Sequence, residues 1–201
     1  MNVVIIKYKG GNIRSVDFAL KRLGVDAEIT SDPDKIKAAD RVIFPGVGEA
    51  SSTMNYLKVT GLDQLIKELK QPVLGICLGM QLMCRHSEEG DVDCLGIFDV
   101  PVKRFDASKA KEQSLKVPHM GWNRILDLKT DLFKEVKEQD YVYFVHSYYV
   151  PASEFAAATC HYVQPYSAAL HYKNFYATQF HPEKSGDVGE QILKNFINLN
   201  Y

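Results

Sequence analysis

The chain has 201 residues, 46% of them hydrophobic and 24% charged, with a formal net charge of −1 at pH 7. That length fits one domain, expected to span 1–201, with a sizeable buried core. There is no basic stripe for nucleic acid, no apolar run near the roughly 20 residues of a membrane span, and no leader-type apolar core in "MNVVIIKYKGG", so a cytoplasmic protein with no nucleic-acid or membrane partner is expected.

In chain order, "NVVIIKY" predicts a buried strand, which "GGN" breaks. Ile13, Val16, Ala19, Leu20 and Leu23 then recur at helical spacing, and Gly24 closes that helix. "VDAEIT" alternates like a strand. Asp32 is placed to cap a second helix with Pro33 at its first position. "RVIF" is a short buried strand ended by "PGVG", "GLDQLIKELK" is helical, "PVLGI" is a strand, and a helix starts near Leu78. Such alternation predicts a parallel sheet covered on both faces, with sites at the carboxyl ends of its strands. Both "PGVG" and "CLG" fall there. The acidic "SEEGDVD" at 87–93 is expected to be a solvated loop holding no metal. Beyond residue 90, "CLGIFDVPVKRF", "GWNRILDL", "YVYFVHSYYV", "FAAATCHY", "SAALHY" and "FYATQF" predict added, partly antiparallel strands. "DVGEQILKNFINL" predicts a closing helix, with Asp187 and Glu190 in capping-box spacing.

The cysteines, Cys77, Cys84, Cys94 and Cys160, form no CxxC and match no zinc spacing, so free thiols are expected. Cys77 stands apart. In "GICLG" it sits between glycines where a strand gives way to a helix, the shape of a nucleophile elbow; the glycines allow a sharp turn and room for a substrate. A small buried residue at a tight turn explains the same five residues equally well. A cysteine nucleophile also needs a base and a group to orient it. Among six histidines, His181 in "QFHPEKS" has Glu183 two residues on. Pro182 biases His181 toward extended backbone, which would point the two side chains the same way. A surface turn with an exposed His and Glu is the alternative. The Gly-rich "PGVG" lacks the Lys-Ser/Thr of a P-loop, and offers a backbone N–H to an oxyanion instead.

Together, "GICLGMQ", "PGVG" and "FHPEKS" resemble the class I (triad) glutamine amidotransferases, over essentially the whole chain. The resemblance implies a flavodoxin-like α/β fold, with a mostly parallel central sheet flanked by helices and added, partly antiparallel strands in the C-terminal half. It implies L-glutamine as substrate and neither cofactor nor metal. Cys77 would be the nucleophile, His181 the base and then the acid, and Glu183 the orienting carboxylate. Val47 and Leu78 would donate N–H groups to the oxyanion, with Gly46 and Gly48 framing the first of them. Gly46, Gly48, Gln81, His146, Ser147 and Tyr148 would hold the substrate. Because Gly46 and Gly48 flank Val47, the Gly46–Val47 peptide is expected to rotate, turning its N–H away until a partner is occupied.

"YKGGNIRSVDFALKRLG" and "VPHMGWNRI" narrow the resemblance to a branch of the family that forms a heterodimer with a (β/α)8-barrel cyclase and passes ammonia to it. That implies a partner interface and ammonia exit near Met120, Trp122, Asn123 and Lys184. A core position for Trp122, the only tryptophan, is the competing expectation. One departure is that Lys7 and Lys9 flank Tyr8, where the family usually has an acidic residue and glycine. Other functions compatible with parts of the pattern are a glutaminase serving anthranilate, guanylate or pyridoxal phosphate synthesis, a non-catalytic binding subunit, and a nucleotide-binding doubly wound protein. The second is disfavoured by the presence of all three triad residues, the third by the lack of a GxGxxG.

Overall fold

Apolar side chains of the first strands alternate strictly between two cores, and that alternation lays out the molecule. The structure, a computed structural model, describes residues 1–8 and 12–200. Lys9, Gly10 and Gly11, part of the departure and of the "GGN" break noted above, lie outside the described residues. The chain runs β1 (Val3–Ile6), α1 (Ile13–Arg22), β2 (Glu28–Thr30), α2 (Pro33–Lys37), β3 (Arg41–Gly46), α3 (Ala50–Thr60) and α4 (Leu62–Glu68). It continues through β4 (Val73–Cys77), α5 (Leu78–Met83), β5 (Cys84–Ser87), β6 (Val92–Asp93), β7 (Phe98–Arg104), α6 (Ala107–Glu112) and β8 (His119–Arg124). The last part is β9 (Tyr141–His146), β10 (Tyr148–Pro151), β11 (Ala156–Tyr162), β12 (Gln164–Tyr172), β13 (Phe175–Thr178) and α7 (Gly186–Ile197).

Five strands in the order β2-β1-β3-β4-β13 are parallel, as expected for the N-terminal half. The sheet then continues through β12, β10 and β7 with antiparallel pairings, and β5 and β6 complete that edge. Val3, Ile5, Ile43, Leu74 and Ile76 face one side, where Val16 and Leu20 of α1 and Ile192, Leu193 and Phe196 of α7 cover them. Val4, Ile6, Val42, Phe44 and Val73 face the other, under Ile36 of α2, Met54 of α3, Ile66 of α4 and Met80 of α5. The two-residue period of a strand sends neighbours to opposite faces, so each central strand feeds both cores.

Local signals explain several boundaries. Asp32 caps α2 as expected, accepting from the N–H groups of Asp34 and Lys35. Glu49 caps α3 in the same way through Ser51 and Ser52, a helix whose weakly amphipathic "ASSTMNYLKVT" did not announce itself. The expected capping box of the last helix does not form. The helix starts at Gly186, Ser185 occupies the cap position without a side-chain cap bond, and Glu190 pairs with Arg22 of α1 instead. "YVYFVHSYYV" is not one strand but two: β9 pairs with β8 in a separate hairpin, while β10 joins the main sheet. The chain breaks at Ser147, where the His146 ring folds onto the main chain and its Nδ1 meets the Tyr148 carbonyl at 2.7 Å.

The acidic stretch also departs from expectation. Ser87 is fully buried, and Glu89 reaches inward to accept from the Ala50 N–H at 3.0 Å. An unfilled N–H at the start of α3 is the physical reason a carboxylate turns away from solvent there.

Gly79 packs α5 onto β3, and a Cβ there would lie 2.0 Å from the Phe44 carbonyl oxygen, a backbone atom with nowhere to retreat. Gly79→Ala should therefore cost about 3 kcal/mol and lower the Tm by roughly 6–12 °C, measured by thermal unfolding. An unchanged Tm would mean that α5 is free to move off the sheet.

Candidate active site

Cys77 ends β4 and precedes α5 with φ 53° and ψ −106°, a backbone conformation that costs a non-glycine residue about 1–3 kcal/mol. The elbow expected from "GICLG" is present, but its cause differs. The strained residue is Cys77 itself, while Gly75 and Gly79 are glycines because α5 approaches so closely. A Cβ on Gly75 would meet Met83 Sδ at 2.9 Å. As the first residue of α5, Leu78 has an N–H without a partner inside the helix. Gly46 lies opposite Cys77 in the β3–β4 register, so Val47 follows immediately beside the elbow, 40% exposed.

Gly46 is less free than expected. A Cβ there would fall 2.7 Å from Gly79 N and 2.8 Å from the Tyr8 hydroxyl, which donates to the Pro45 carbonyl at 2.6 Å. Conformational freedom in "PGVG" is instead found at Gly48, with φ 125° and open space around it.

His181 and Glu183 follow β13, the strand beside β4. His181 is extended, at φ −97° and ψ 96°, and a single 3₁₀ turn over Pro182–Lys184 then curls Glu183 back beneath the ring. The contact expected from the spacing is there, made by a turn rather than by two like-facing strand positions. His181 Nδ1 and Glu183 Oε1 are 2.7 Å apart, with both side chains essentially out of solvent. The Tyr143 carbonyl accepts from the His181 N–H at 2.9 Å, and Ser185 Oγ donates to the His181 carbonyl at 2.6 Å. Asn12 Nδ2 donates to Glu183 Oε1 at 2.8 Å. Nothing in the local pattern of Asn12 predicts a contact 171 residues away.

Burial alone would depress the His181 pKa, but the Cys77 sulfur and the Glu183 carboxylate outweigh it and raise it. The Nε2 atom has no partner within hydrogen-bonding geometry among the described residues, although it lies near enough to the sulfur for that electrostatic coupling. Such an arrangement can move a proton between sulfur and Nε2 while Glu183 holds the imidazolium in one orientation.

A pocket of about 290 Å³ opens over the sulfur, lined by Cys77, Leu78, Gln81 and Glu89 on one side and by Pro118 and Val145 to Tyr148 on the other. It gathers Gln81, His146, Ser147 and Tyr148 of the residues the resemblance implied, whereas Gly46 and Gly48 are not among its lining residues. Glu89 was hidden from sequence reasoning within an acidic run. Gln179 was also missed: fully buried, it accepts from Gln81 Nε2 at 3.0 Å, and its own Nε2 lies 3.8 Å from Cys77 Sγ. Among the described residues, no group of three or more His, Cys, Asp or Glu side chains is placed to hold a metal.

The remaining residues lie on the β8–β9 hairpin and at the end of the turn after His181. Met120 and Trp122 are 64% and 53% exposed, so Trp122 is not a core residue; it stands edge-on to Tyr143 with ring centroids 6.0 Å apart. Lys184 is exposed directly after Glu183. Asn123 donates its amide to the His161 carbonyl at 3.1 Å.

At the end of this hairpin, where His119 and His146 are paired across the strands, His119 Nδ1 and His146 Nε2 are 3.2 Å apart, and the Tyr166 hydroxyl lies 3.3–3.4 Å from both. Burial pushes the pKa of His119 down to about 4 and that of His146 to about 3. An unfolded chain protonates its histidines near pH 6.5, so between there and pH 4 it binds more protons than the folded pair, and stability falls as the pH falls. His181 acts with the opposite sign: its raised pKa contributes fully below pH 6.5 and is lost as the pH rises through the folded value. His119→Phe, which keeps a ring stacked between Phe144 and Tyr162, isolates the first effect. Its urea unfolding free energy should fall less steeply between pH 6.5 and 5 than that of the unaltered chain, by roughly 1.4 kcal/mol per pH unit. Parallel pH profiles would rule out the neutral pair.

Residues 5–199 match the family described as Glutamine amidotransferase class-I. The chain is 69% identical over 199 residues to the imidazole glycerol phosphate synthase subunit HisH of Bacteroides fragilis (strain YCH46), covering 99% of this chain and 100% of that one. It is 44% identical over 201 residues to the Escherichia coli (strain K12) protein of the same name, with the same coverage. Among solved structures, a glutamine amidotransferase from Thermotoga maritima has the same fold, with a TM-score of 0.63 at 17% identity, covering 98% of this chain and 83% of that one. With its elbow cysteine, its buried His–Glu pair and a family match over nearly its whole length, the chain belongs to the class-I glutamine amidotransferases.

Proposed function

We propose that the chain is the glutamine-hydrolysing subunit of imidazole glycerol phosphate synthase, acting as one cytoplasmic amidotransferase domain in a heterodimer with a (β/α)8-barrel cyclase. The observation that carries this reading is the buried His181–Glu183 pair beside Cys77, whose side chain lines the pocket. Near full-length similarity to proteins named as that subunit supports the choice of pathway. The Cys77 thiolate attacks the side-chain carbonyl carbon of glutamine. The oxyanion is met by the Leu78 N–H and, when the "PGVG" peptide faces inward, by that of Val47. His181 gives its Nε2 proton to the departing nitrogen, ammonia leaves, and a γ-glutamyl thioester remains. His181 then takes a proton from water, whose hydroxide displaces the thiolate and yields glutamate.

The pocket accounts for the other end of the substrate. Glu89 keeps one oxygen on the Ala50 N–H, and its charge suits the α-ammonium of glutamine, while Gln81 and the 146–148 wall enclose the remainder. Ammonia then passes to the cyclase across the face that carries Met120, Trp122 and Lys184. There it enters the ring of imidazole glycerol phosphate, with an aminoimidazole carboxamide ribotide as co-product.

The test is co-purification with the cyclase followed by glutamine-dependent turnover. Cys77→Ala should cut glutamate release by at least about 10³-fold while leaving complex formation intact. Retained hydrolysis would remove Cys77 as nucleophile. In the unaltered complex, glutaminase rates should rise when the cyclase is present with its ligand, and equal rates in both states would sink the idea of a turning "PGVG" peptide.

A further inference from the structure

Gln179 is fully buried two residues before His181, with its main-chain N–H fixed to the Ala168 carbonyl of β12 at 2.8 Å. Its side chain closes a line of polar contacts whose direction can be worked out. The Tyr148 carbonyl can only accept, so Gln81, whose amide group lies 3.0 Å from it, must present its NH₂ group there. The second hydrogen of the same NH₂ group points at Gln179, which must answer with its Oε1, at 3.0 Å. That leaves the Gln179 NH₂ group turned toward Cys77 Sγ, 3.8 Å away and within hydrogen-bond reach of the larger sulfur atom. Among the described residues the sulfur is the acceptor found for that group.

We propose that Gln179 is a catalytic residue of glutamine hydrolysis: its carboxamide N–H donates to the Cys77 sulfur, and the Tyr148 carbonyl, through Gln81, prevents that carboxamide from turning its oxygen to the thiolate. The inference rests on Cys77 being the nucleophile. A neutral donor at this place stabilises the thiolate without adding a charge and fixes the sulfur on a second side from His181. When the thioester forms, the sulfur loses its negative charge and the hydrogen bond weakens. It is restored as the thiolate departs, so Gln179 also favours collapse of the second tetrahedral intermediate. No atom is transferred to or from Gln179 at any step.

Alkylation of Cys77 by iodoacetamide, followed by mass spectrometry of the Cys77 peptide, reads the thiolate without reference to substrate. Gln179→Leu and Gln179→Glu both remove the donor, and the second keeps the shape but places a carboxylate against the sulfur. In each, with a native circular dichroism spectrum as the check on folding, alkylation at pH 7 should slow about tenfold and recover as the pH is raised, with a similar loss in kcat and a smaller change in KM. Gln81→Leu keeps Gln179 but releases its direction, and should slow alkylation by less than Gln179→Leu does. Alkylation rates equal to the unaltered chain's in folded Gln179 variants would overturn the proposal, as would a loss confined to KM. If complete alkylation of Cys77 left glutamine hydrolysis intact, the nucleophile reading itself would fail, an outcome distinct from either of these.

Discussion

The close approach of α5 to the backbone of β3 is the constraint on which the site depends. Gly79 lies under the Phe44 carbonyl with no room for a methyl group, and Gly46 meets the same helix from the side. With α5 seated so low, the chain can leave β4 for the helix only by turning sharply at Cys77, which takes the positive φ. Strain at the sulfur-bearing residue is thus held by packing on both sides of it, and burial of Leu78, Met80 and Leu82 in the core below keeps the helix down. The energy that aims the Cys77 side chain comes from the hydrophobic core rather than from the site.

Placement of β13 is the second half of the arrangement. As the last strand in sequence it inserts directly beside β4, parallel and in register from Phe175 with Val73 to Thr178 with Ile76. His181 is therefore delivered next to Cys77 across a gap of about a hundred residues, and the turn at Pro182, against which Gly189 of α7 packs, brings Glu183 to the ring. Asn12, at the start of α1, donates to the same carboxylate, so one oxygen of Glu183 is shared by the imidazole and by a residue near the opposite end of the chain.

Much of this was legible in the amino-acid pattern because it is local. Asp32 before Pro33 marks a helix start, alternating apolar strands mark a covered sheet, and a cysteine between glycines at a strand–helix junction marks an elbow. The glycines of "GICLG" are in the right place for a different cause: close packing of a helix, which spacing alone does not distinguish from a flexible turn. What stayed hidden depends on distant partners. Glu89 looked like one charge in a solvated run, and Ser147 like the middle of one long strand. Gln179 carries no signal apart from its neighbours in "QFHPEKS", since its partners Gln81 and Cys77 lie about a hundred residues earlier. The final helix shows the converse failure: a capping-box spacing was present, but Glu190 had a better partner in Arg22 on another helix.

The exposed hairpin carries a consequence for observation. Trp122 is the only tryptophan in the chain, half exposed and edge-on to Tyr143, whose main-chain carbonyl receives the His181 N–H. Its emission therefore reports from one known position rather than from an average over many, and that position is one residue and one hydrogen bond from the main chain of His181. Covering the hairpin removes water from the indole and shifts its spectrum to the blue, while movement of β9 alters the tyrosine ring beside it. The protein thus contains a built-in optical label on the exposed face of this hairpin.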